Sequence, residues 1–232
     1  MPIRAVLIDK DGTILDVEAS WGHATLAVIR TLADGDPLLA SRLVELAMVD
    51  PATGRFDPRS PIIAGSAAEY GPPWAEALGR PAGPAFFSEI DALYRALGRA
   101  HLTPLPGAAA AIEALHRRGL PLGLATNDAE ANARENLADL GLAACFSFVA
   151  GYDSGHGSKP GPGMVVAFAE HAGVSPAEVA LIGDSLHDLI AARSAGAVAV
   201  AVTSGKADEA ELAPLADVVA ADLAGAVRAI GL

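Results

Sequence analysis

The sequence predicts an α/β protein with a doubly wound, mostly parallel sheet and an inserted α-helical domain. Short apolar runs alternate with helical segments of about ten residues from residue 103 onward, and glycine repeatedly follows the helical segments. Between residues 16 and 102 the strand pattern is missing and only helical periods remain. Alternating strands and helices are typical of right-handed βαβ units, which build parallel sheets.

The sheet domain begins with a strand predicted at residues 3–8, an apolar run that stops at Asp9. Later strands are predicted at residues 120–125, 146–150, 179–182, 198–202 and 218–219. Helices are predicted at residues 108–118, 129–140, 163–172, 186–195 and 223–230. Several of these helices are followed by glycine, which readily takes the left-handed conformation beyond a helix C-terminus. Those glycines are Gly119, Gly141, Gly173 and Gly196.

The inserted segment has helical periodicity throughout. Helices are predicted there at residues 21–33, 38–48, 60–70 and 86–102. Asp36 and Pro37 are expected as the N-cap and first residue of the second of these helices. The predicted division is a sheet domain of residues 1–15 and 103–232 and a helical domain of residues 16–102.

Composition excludes several classes of protein. The chain has 232 residues, 52% of them hydrophobic, and a formal net charge of −12. This composition excludes intrinsic disorder, and the acidic balance argues against a nucleic-acid partner. Cys145 is the sole cysteine, so an internal disulfide and a cysteine-based zinc site are excluded. No apolar run approaches the roughly 20 residues of a membrane span. We expect a soluble cytoplasmic protein with no membrane partner, either a monomer or a homodimer.

Polar residues gather where the predicted strands end. Ligands of open α/β sheets bind outside the carboxyl ends of the strands, so these residues are candidates for a common site. They are Asp9, Asp11, Thr126, Asn127, Asp128, Lys159, Asp184 and Asp188.

These residue types fit phosphoryl transfer. Carboxylates without a histidine or cysteine cluster favour a hard cation, here Mg²⁺. Asp9 could attack phosphorus, and Asp11 could protonate the leaving oxygen and then activate water. Gly12 permits a tight turn with backbone N–H groups open to phosphate. Thr126 and Lys159 could hold the phosphoryl oxygens.

Four segments, DKDGT, ATN, KPGP and GDSLHD, resemble in order and position the four motifs of the haloacid dehalogenase (HAD) superfamily. The resemblance covers essentially the whole chain and is closest to the phosphoglycolate-phosphatase-like branch. It implies a Rossmann-like core and makes the helical insertion a cap of the first type. The dehalogenases of that superfamily lack the second aspartate of the first motif, which Asp11 supplies here.

The resemblance also implies a role for each motif residue. Asp9 becomes the nucleophile and Asp11 the general acid and base. The implied phosphoryl-binding residues are Gly12, Thr126, Asn127 and Lys159. The implied Mg²⁺ ligands are Asp9, the backbone carbonyl of Asp11, and Asp184. Asp188 is implied to support the site without touching the metal.

Some residues have a plainer interpretation beside the functional one. Lys10 replaces an apolar residue of the motif, and its side chain is expected to point away from Asp9 and Asp11. Asp128 is expected to cap the following helix, and Trp21 to pack inside the cap.

Three further cap residues, His23, Arg59 and Ser60, are candidates for substrate contact. Arg59 could equally be a surface charge paired with Asp57.

The leading hypothesis is a Mg²⁺-dependent phosphatase that hydrolyses a small phosphorylated metabolite of the phosphoglycolate or sugar-phosphate type through an aspartyl phosphate. Two alternatives stay open. One is a phosphosugar mutase of the same family, which the sequence does not distinguish. The other is a non-enzymatic phospho-acceptor signalling domain, against which the insertion after the first strand argues.

Overall fold

A computed structural model describes residues 2–232 and divides the chain into two compact units. The sheet unit contains the residues up to Asp16 together with Pro104–Leu232. The helical unit is Val17–Thr103.

The sheet unit contains six strands, all parallel to their neighbours, in the order β3-β2-β1-β4-β5-β6. The strands are β1 Ala5–Ile8, β2 Leu122–Ala125, β3 Phe148–Ala150, β4 Val179–Gly183, β5 Val198–Val202 and β6 Val218–Ala220. Strands β1, β2 and β4 are buried at every residue, which explains why they are apolar without alternation. The predicted fold class is confirmed.

The register aligns the ends of the central strands. Ile8 of β1 pairs with Leu124 of β2 on one side and with Ile182 of β4 on the other. The residues that follow these three strands therefore leave the sheet at one edge, at the point where the strand order reverses its direction. In open parallel sheets this is where ligands bind.

Both units contain helices, and those of the sheet unit cover both faces of the sheet. Those of the helical unit are α1 His23–Leu32, α2 Pro37–Ala47, α3 Pro61–Ala64, α4 Ala67–Ala77 and α5 Pro84–Gly98. Those of the sheet unit are α6 Ala108–Arg117, α7 Glu130–Asp139, α8 Gly163–Ala172, α9 Leu186–Ala195, α10 Glu209–Leu212 and α11 Leu223–Ala229. Helices α6, α7 and α11 pack in one core with Val6 and Ile8, and α8, α9 and α10 pack in the other with Ala5 and Leu7. Alternate residues of β1 thus face opposite cores, as strand geometry requires.

The helical unit contains one element that the sequence mispredicts. The single helix predicted at residues 60–70 is two helices, because the chain breaks at Gly65 and starts again at Ser66 with a capping box to Glu69. Helix α4 then continues through Pro72 and Pro73 to Ala77.

Two smaller features of the secondary structure were also not predicted from the sequence. Helix α10 spans four residues, and a π-helical turn at Glu18–Gly22 precedes α1. Among residues 2–232, none of the helices combines the length and the apolar character that crossing a membrane requires.

Candidate active site

Three buried carboxylates converge at the carboxyl edge of the sheet. Asp9 directly follows β1, Asp184 directly follows β4, and Asp188 lies in the first turn of α9. One oxygen from each lies within 4.8 Å of the others. Asp9, Asp184 and Asp188 are 5%, 4% and 0% exposed, so little water reaches this concentration of negative charge.

Lys159 supplies the positive charge of this cluster. It stands in the loop between β3 and α8, 3% exposed, and its ammonium donates to Asp9 Oδ1 (2.5 Å) and Asp188 Oδ1 (2.6 Å). A third bond goes to the carbonyl oxygen of Ala125 at 2.9 Å. Each of the three N–H donors of the ammonium therefore has an acceptor, and the lysine bridges the carboxylates of Asp9 and Asp188.

The loop that carries Lys159 is fastened to the end of β2 by Asn127. The amide nitrogen of Asn127 donates to the Lys159 carbonyl (2.8 Å), and its amide oxygen accepts from the Lys159 N–H (2.9 Å). The adjacent Thr126 is buried, and its hydroxyl oxygen accepts from the Asp128 N–H at 3.1 Å. The side chain of Asn127 therefore holds the lysine's backbone, a positioning contact that the sequence did not reveal.

Asp188 contacts both the start of α9 and the ammonium of Lys159. Its Oδ2 accepts from the Ser185 hydroxyl (2.6 Å) and the Ser185 N–H (3.2 Å), which makes a capping box at the start of α9. Its Oδ1 accepts from Lys159. Gly183 stands beside it, and a methyl group there would overlap the Asp188 carboxylate. The helix cap therefore also orients the lysine.

Asp184 lies in a cradle formed by two glycines. A methyl group on Gly12 or on Gly205 would overlap its carboxylate. The Ser204 hydroxyl donates to the Gly12 carbonyl at 2.7 Å, which ties the loop after β5 to the loop after β1. Sequence reasoning missed Ser204 and Gly205, and the only available signal was their place directly after a predicted strand.

Burial and mutual repulsion govern the charges of this cluster. Burial, with the nearby Asp188 and Asp11, raises the pKa of Asp9 to about 7, although the Lys159 ammonium acts in the opposite direction. Burial, with Asp9 and Asp188, also raises the pKa of Asp184 well above its usual range. Burial alone would lower the pKa of Lys159, but Asp188 and Asp9 outweigh it and raise that pKa.

The structure contradicts the predicted direction of the Lys10 side chain. Its ammonium does not point away from both neighbouring aspartates, because it lies 3.4 Å from Asp11 Oδ2. It also donates to Asp128 Oδ2 (2.5 Å) and Asn136 Oδ1 (2.9 Å), and the side chain is 1% exposed. These acceptors explain why a lysine can occupy a buried position here.

Asp128 belongs to the same group of side chains. It is next to the start of α7, where its Oδ1 accepts from the Ala129 N–H (2.7 Å), while Ala129 is the N-cap residue itself. The prediction that Asp128 caps α7 is therefore wrong, because the N-cap is Ala129; the other oxygen of Asp128 holds Lys10.

The donor set of the cluster fits a divalent cation. One ammonium stands against three carboxylates, so two negative charges are left without a balancing charge in a buried place. Carboxylate oxygens are the donors that hard divalent cations prefer. Burial and the repulsion between the carboxylates, which raise the pKa of Asp9 and of Asp184, are the effects that a bound cation would offset.

The candidates in the helical unit have structural partners of their own. Arg59 forms two bonds of 2.9 Å with the Asp57 carboxylate, and its side chain is 80% exposed. Ser60 is the N-cap of α3 and donates to the Ala47 carbonyl at 2.7 Å. His23 is exposed at the start of α1, with its ring 6.3 Å from that of His101.

Trp21 packs within the helical unit, as expected. Its ring meets Tyr94 edge-on at 6.2 Å, and a methyl group on Gly98 would overlap it.

The chain belongs to the family described as haloacid dehalogenase-like hydrolases, which it matches over residues 3–196. A phosphoglycolate phosphatase of Neisseria meningitidis is 31% identical over 210 residues, which cover 89% of this chain and 83% of that protein. A phosphoglycolate phosphatase of Escherichia coli is 30% identical over 217 residues, covering 88% of this chain and 82% of that protein.

Solved structures agree on the fold. That of a HAD phosphatase from Thermococcus onnurineus aligns with a TM-score of 0.70 and 23% identity, covering 99% of this chain and 98% of that one. Together with the two relatives, the family match identifies the protein as a phosphatase.

Proposed function

We propose that this phosphatase is Mg²⁺-dependent and hydrolyses a small phosphomonoester, of the phosphoglycolate or sugar-phosphate type, through an aspartyl phosphate on Asp9. The observation that carries the proposal is the carboxylate of Asp9, buried at the switch point of the sheet beside Lys159 and Asp184. A carboxylate and a phosphate are both negatively charged, so the attack on phosphorus requires positive charges that offset their repulsion. At this site the Lys159 ammonium supplies one of them, and a bound cation would supply the rest.

The proposed reaction has two steps. In the first, a carboxylate oxygen of Asp9 forms a bond to phosphorus, the bond from phosphorus to the substrate oxygen breaks, and Asp11 gives its proton to that oxygen. In the second, Asp11 takes a proton from water, the water oxygen bonds to phosphorus, and the bond to Asp9 breaks. Inorganic phosphate leaves, and both aspartates return to their initial states.

Mg²⁺ would be held by Asp9, the backbone carbonyl of Asp11, and Asp184, and it would offset the charge of the substrate phosphate. Asp188 would act through Lys159 and the cap of α9.

Gly12, Thr126 and Lys159 would bind the phosphoryl oxygens. Asn127 would contribute mainly by holding the backbone of Lys159. Charge that spreads over the phosphoryl oxygens in the transition state is stabilised by such preplaced donors.

The helical unit is proposed as the cap that selects the substrate, in line with the resemblance. Contact of the substrate with His23, Arg59 or Ser60 stays a prediction. The cytoplasmic location and the choice between monomer and homodimer also stay predictions.

Substitution of the nucleophile tests the proposal. Asp9→Asn should lower the rate of phosphate release by more than about a thousandfold, because the amide is a very poor nucleophile. Asp208→Asn is a matched control, since Asp208 is an exposed N-cap of α10 and asparagine caps equally well. The assay measures inorganic phosphate released from phosphoglycolate and sugar phosphates, with Mg²⁺ and with EDTA.

Three results would contradict the proposal. Asp9→Asn turnover within tenfold of the wild type would exclude Asp9 as the nucleophile. Conversion of a phosphosugar into its isomer without phosphate release would identify a mutase. A protein that accumulates stable phosphate on Asp9 without turnover would be a phospho-acceptor domain.

A further inference from the structure

Lys10 is a buried cation at the centre of the first motif, between the two aspartates proposed for the chemistry. Its side chain is 1% exposed, and lysine is almost never buried so fully without charged partners. The oxygen neighbours of the ammonium include Asp128 Oδ2 at 2.5 Å, Asn136 Oδ1 at 2.9 Å and Asp11 Oδ2 at 3.4 Å.

Two of these three neighbours are fixed by contacts of their own. Asp128 accepts from the Ala129 N–H (2.7 Å) and from the Asn132 amide nitrogen (3.0 Å). Asn136 lies on α7 and is 4% exposed. Helix α7 and the segment before it therefore hold the ammonium in one place.

The third neighbour is the carboxylate of Asp11, which is about as exposed as that of Asp128, at 18%. Asp11 lies in the turn after β1, and its side chain is 19% exposed, whereas that of Lys10 is 1% exposed. The turn itself is fastened at Lys10, whose carbonyl accepts from the N–H groups of Ile14 (2.8 Å) and Leu15 (3.0 Å). Asp11 thus has a fixed cation beside its carboxylate.

We propose that Lys10 is a positioning residue for Asp11: its ammonium, anchored by Asp128 and Asn136, holds the Asp11 carboxyl in the orientation that proton transfer requires. The inference rests on the proposed function, because it takes Asp11 as the group that protonates the leaving oxygen. A small misplacement of a reacting group can cost a hundredfold in rate, so an anchor of this kind has a measurable effect.

The identity of the leaving group separates this role from a purely structural one. An alkyl phosphate needs a proton on its leaving oxygen, whereas p-nitrophenyl phosphate expels a stable anion with little help. Loss of Asp11 positioning should therefore slow alkyl phosphates selectively. A general loss of folded protein would slow both substrates by the same factor.

The experiment compares Lys10→Met with the wild type on phosphoglycolate, glycerol 3-phosphate and p-nitrophenyl phosphate. The readout is kcat/KM, which reports the step that forms the phosphoenzyme. We expect kcat/KM to fall about thirtyfold or more for the alkyl phosphates and less than about threefold for p-nitrophenyl phosphate. Lys10→Arg keeps a cation and should restore most of the alkyl-phosphate activity.

Two further variants keep the test valid if Lys10→Met folds poorly. Lys10→Met combined with Asp128→Asn removes both charges, so no unpaired charge is buried, and the same selectivity is expected. Leu115→Ala is the control for stability, because Leu115 is fully buried in the α6 core and makes none of the contacts above. It should lower the melting temperature without changing the ratio between substrates.

A double-variant cycle decides whether Lys10 acts through Asp11. Asp11→Asn should show the same selectivity more strongly, and adding Lys10→Met to it should cost less than about threefold further. Equal losses on alkyl and aryl substrates in Lys10→Met, or losses that multiply in the double variant, would overturn the proposal for Lys10 alone. An Asp11→Asn enzyme with the wild-type ratio would instead refute the proposed role of Asp11, and the role of Lys10 would fall with it.

Discussion

At the scale of single residues, the position of Asp184 depends on the absence of a side chain at its two neighbouring glycines, Gly12 and Gly205. A methyl group on Gly205 would overlap the Asp184 carboxylate. Gly205→Ala should therefore displace this carboxylate and weaken metal binding by about tenfold or more, the range found when the support of a metal ligand is lost. Titration calorimetry with Mg²⁺ or Mn²⁺ measures this directly, without relying on turnover.

A second glycine provides the control for that substitution. Gly83 has an extended backbone, and a methyl group there meets no atom within 4 Å, so Gly83→Ala should leave metal affinity unchanged. Gly205→Ala with wild-type affinity would show that Asp184 does not hold the metal or that its loop adapts without loss.

The site residues that the sequence predicted share one property: each follows a recognisable strand or lies in a short motif. Asp9, Thr126 and Asp184 could be placed at one edge because parallel strands end together. The partners of Lys10 could not, since Asp128 and Asn136 lie 118 and 126 residues away, and no local pattern specifies that pairing. Ser204 and Gly205 were missed because a serine and a glycine after a strand are equally typical of any loop.

At the scale of secondary-structure elements, the local signals of helix α2 are sufficient to define where it begins. Asp36 Oδ1 accepts from the N–H groups of Leu38 (2.8 Å) and Leu39 (3.2 Å), and Pro37 occupies the first turn, as predicted. Asp36→Ala should lower the free energy of unfolding by about 1 kcal/mol, because helix N–H groups lose their acceptor. Asp36→Asn should keep it within a few tenths, since asparagine caps equally well.

Chemical denaturation of the full chain checks both variants. Equal stability of Asp36→Ala and Asp36→Asn would mean that water replaces the cap without loss.

Helix α4 shows where local signals fail. Two adjacent prolines normally end a helix, because each removes an N–H donor and crowds the preceding turn. Here the helix continues, since Tyr70, Gly71 and Trp74 are buried and a methyl group on Gly71 would overlap the Phe87 ring. Burial of large aromatic side chains outweighs the local cost, and that packing is not readable from a single stretch of sequence.

At the scale of the whole molecule, the sheet unit combines a buried apolar sheet with a buried cluster of carboxylates at the proposed site. The fully buried strands of a parallel sheet stabilise the unit through apolar contacts. The same burial makes the ionised forms of three adjacent carboxylates unfavourable, because the charges lose their hydration and repel one another. The fold therefore tolerates a strained cluster that a bound cation would relieve.

This trade-off predicts opposite effects of one substitution with and without metal. Asp184→Asn removes one of the repelling carboxylates, so in EDTA it should raise the free energy of unfolding by about 1–2 kcal/mol. In the wild type, Mg²⁺ at a hundred times its dissociation constant should add about 2.7 kcal/mol, and the variant should lose most of that gain. The two proteins should thus exchange their order of melting temperature between EDTA and Mg²⁺, while Asp208→Asn follows the wild type in both. A variant that is less stable than the wild type in EDTA, or one that gains as much from Mg²⁺, would mean that Asp184 neither strains the empty cluster nor holds the cation.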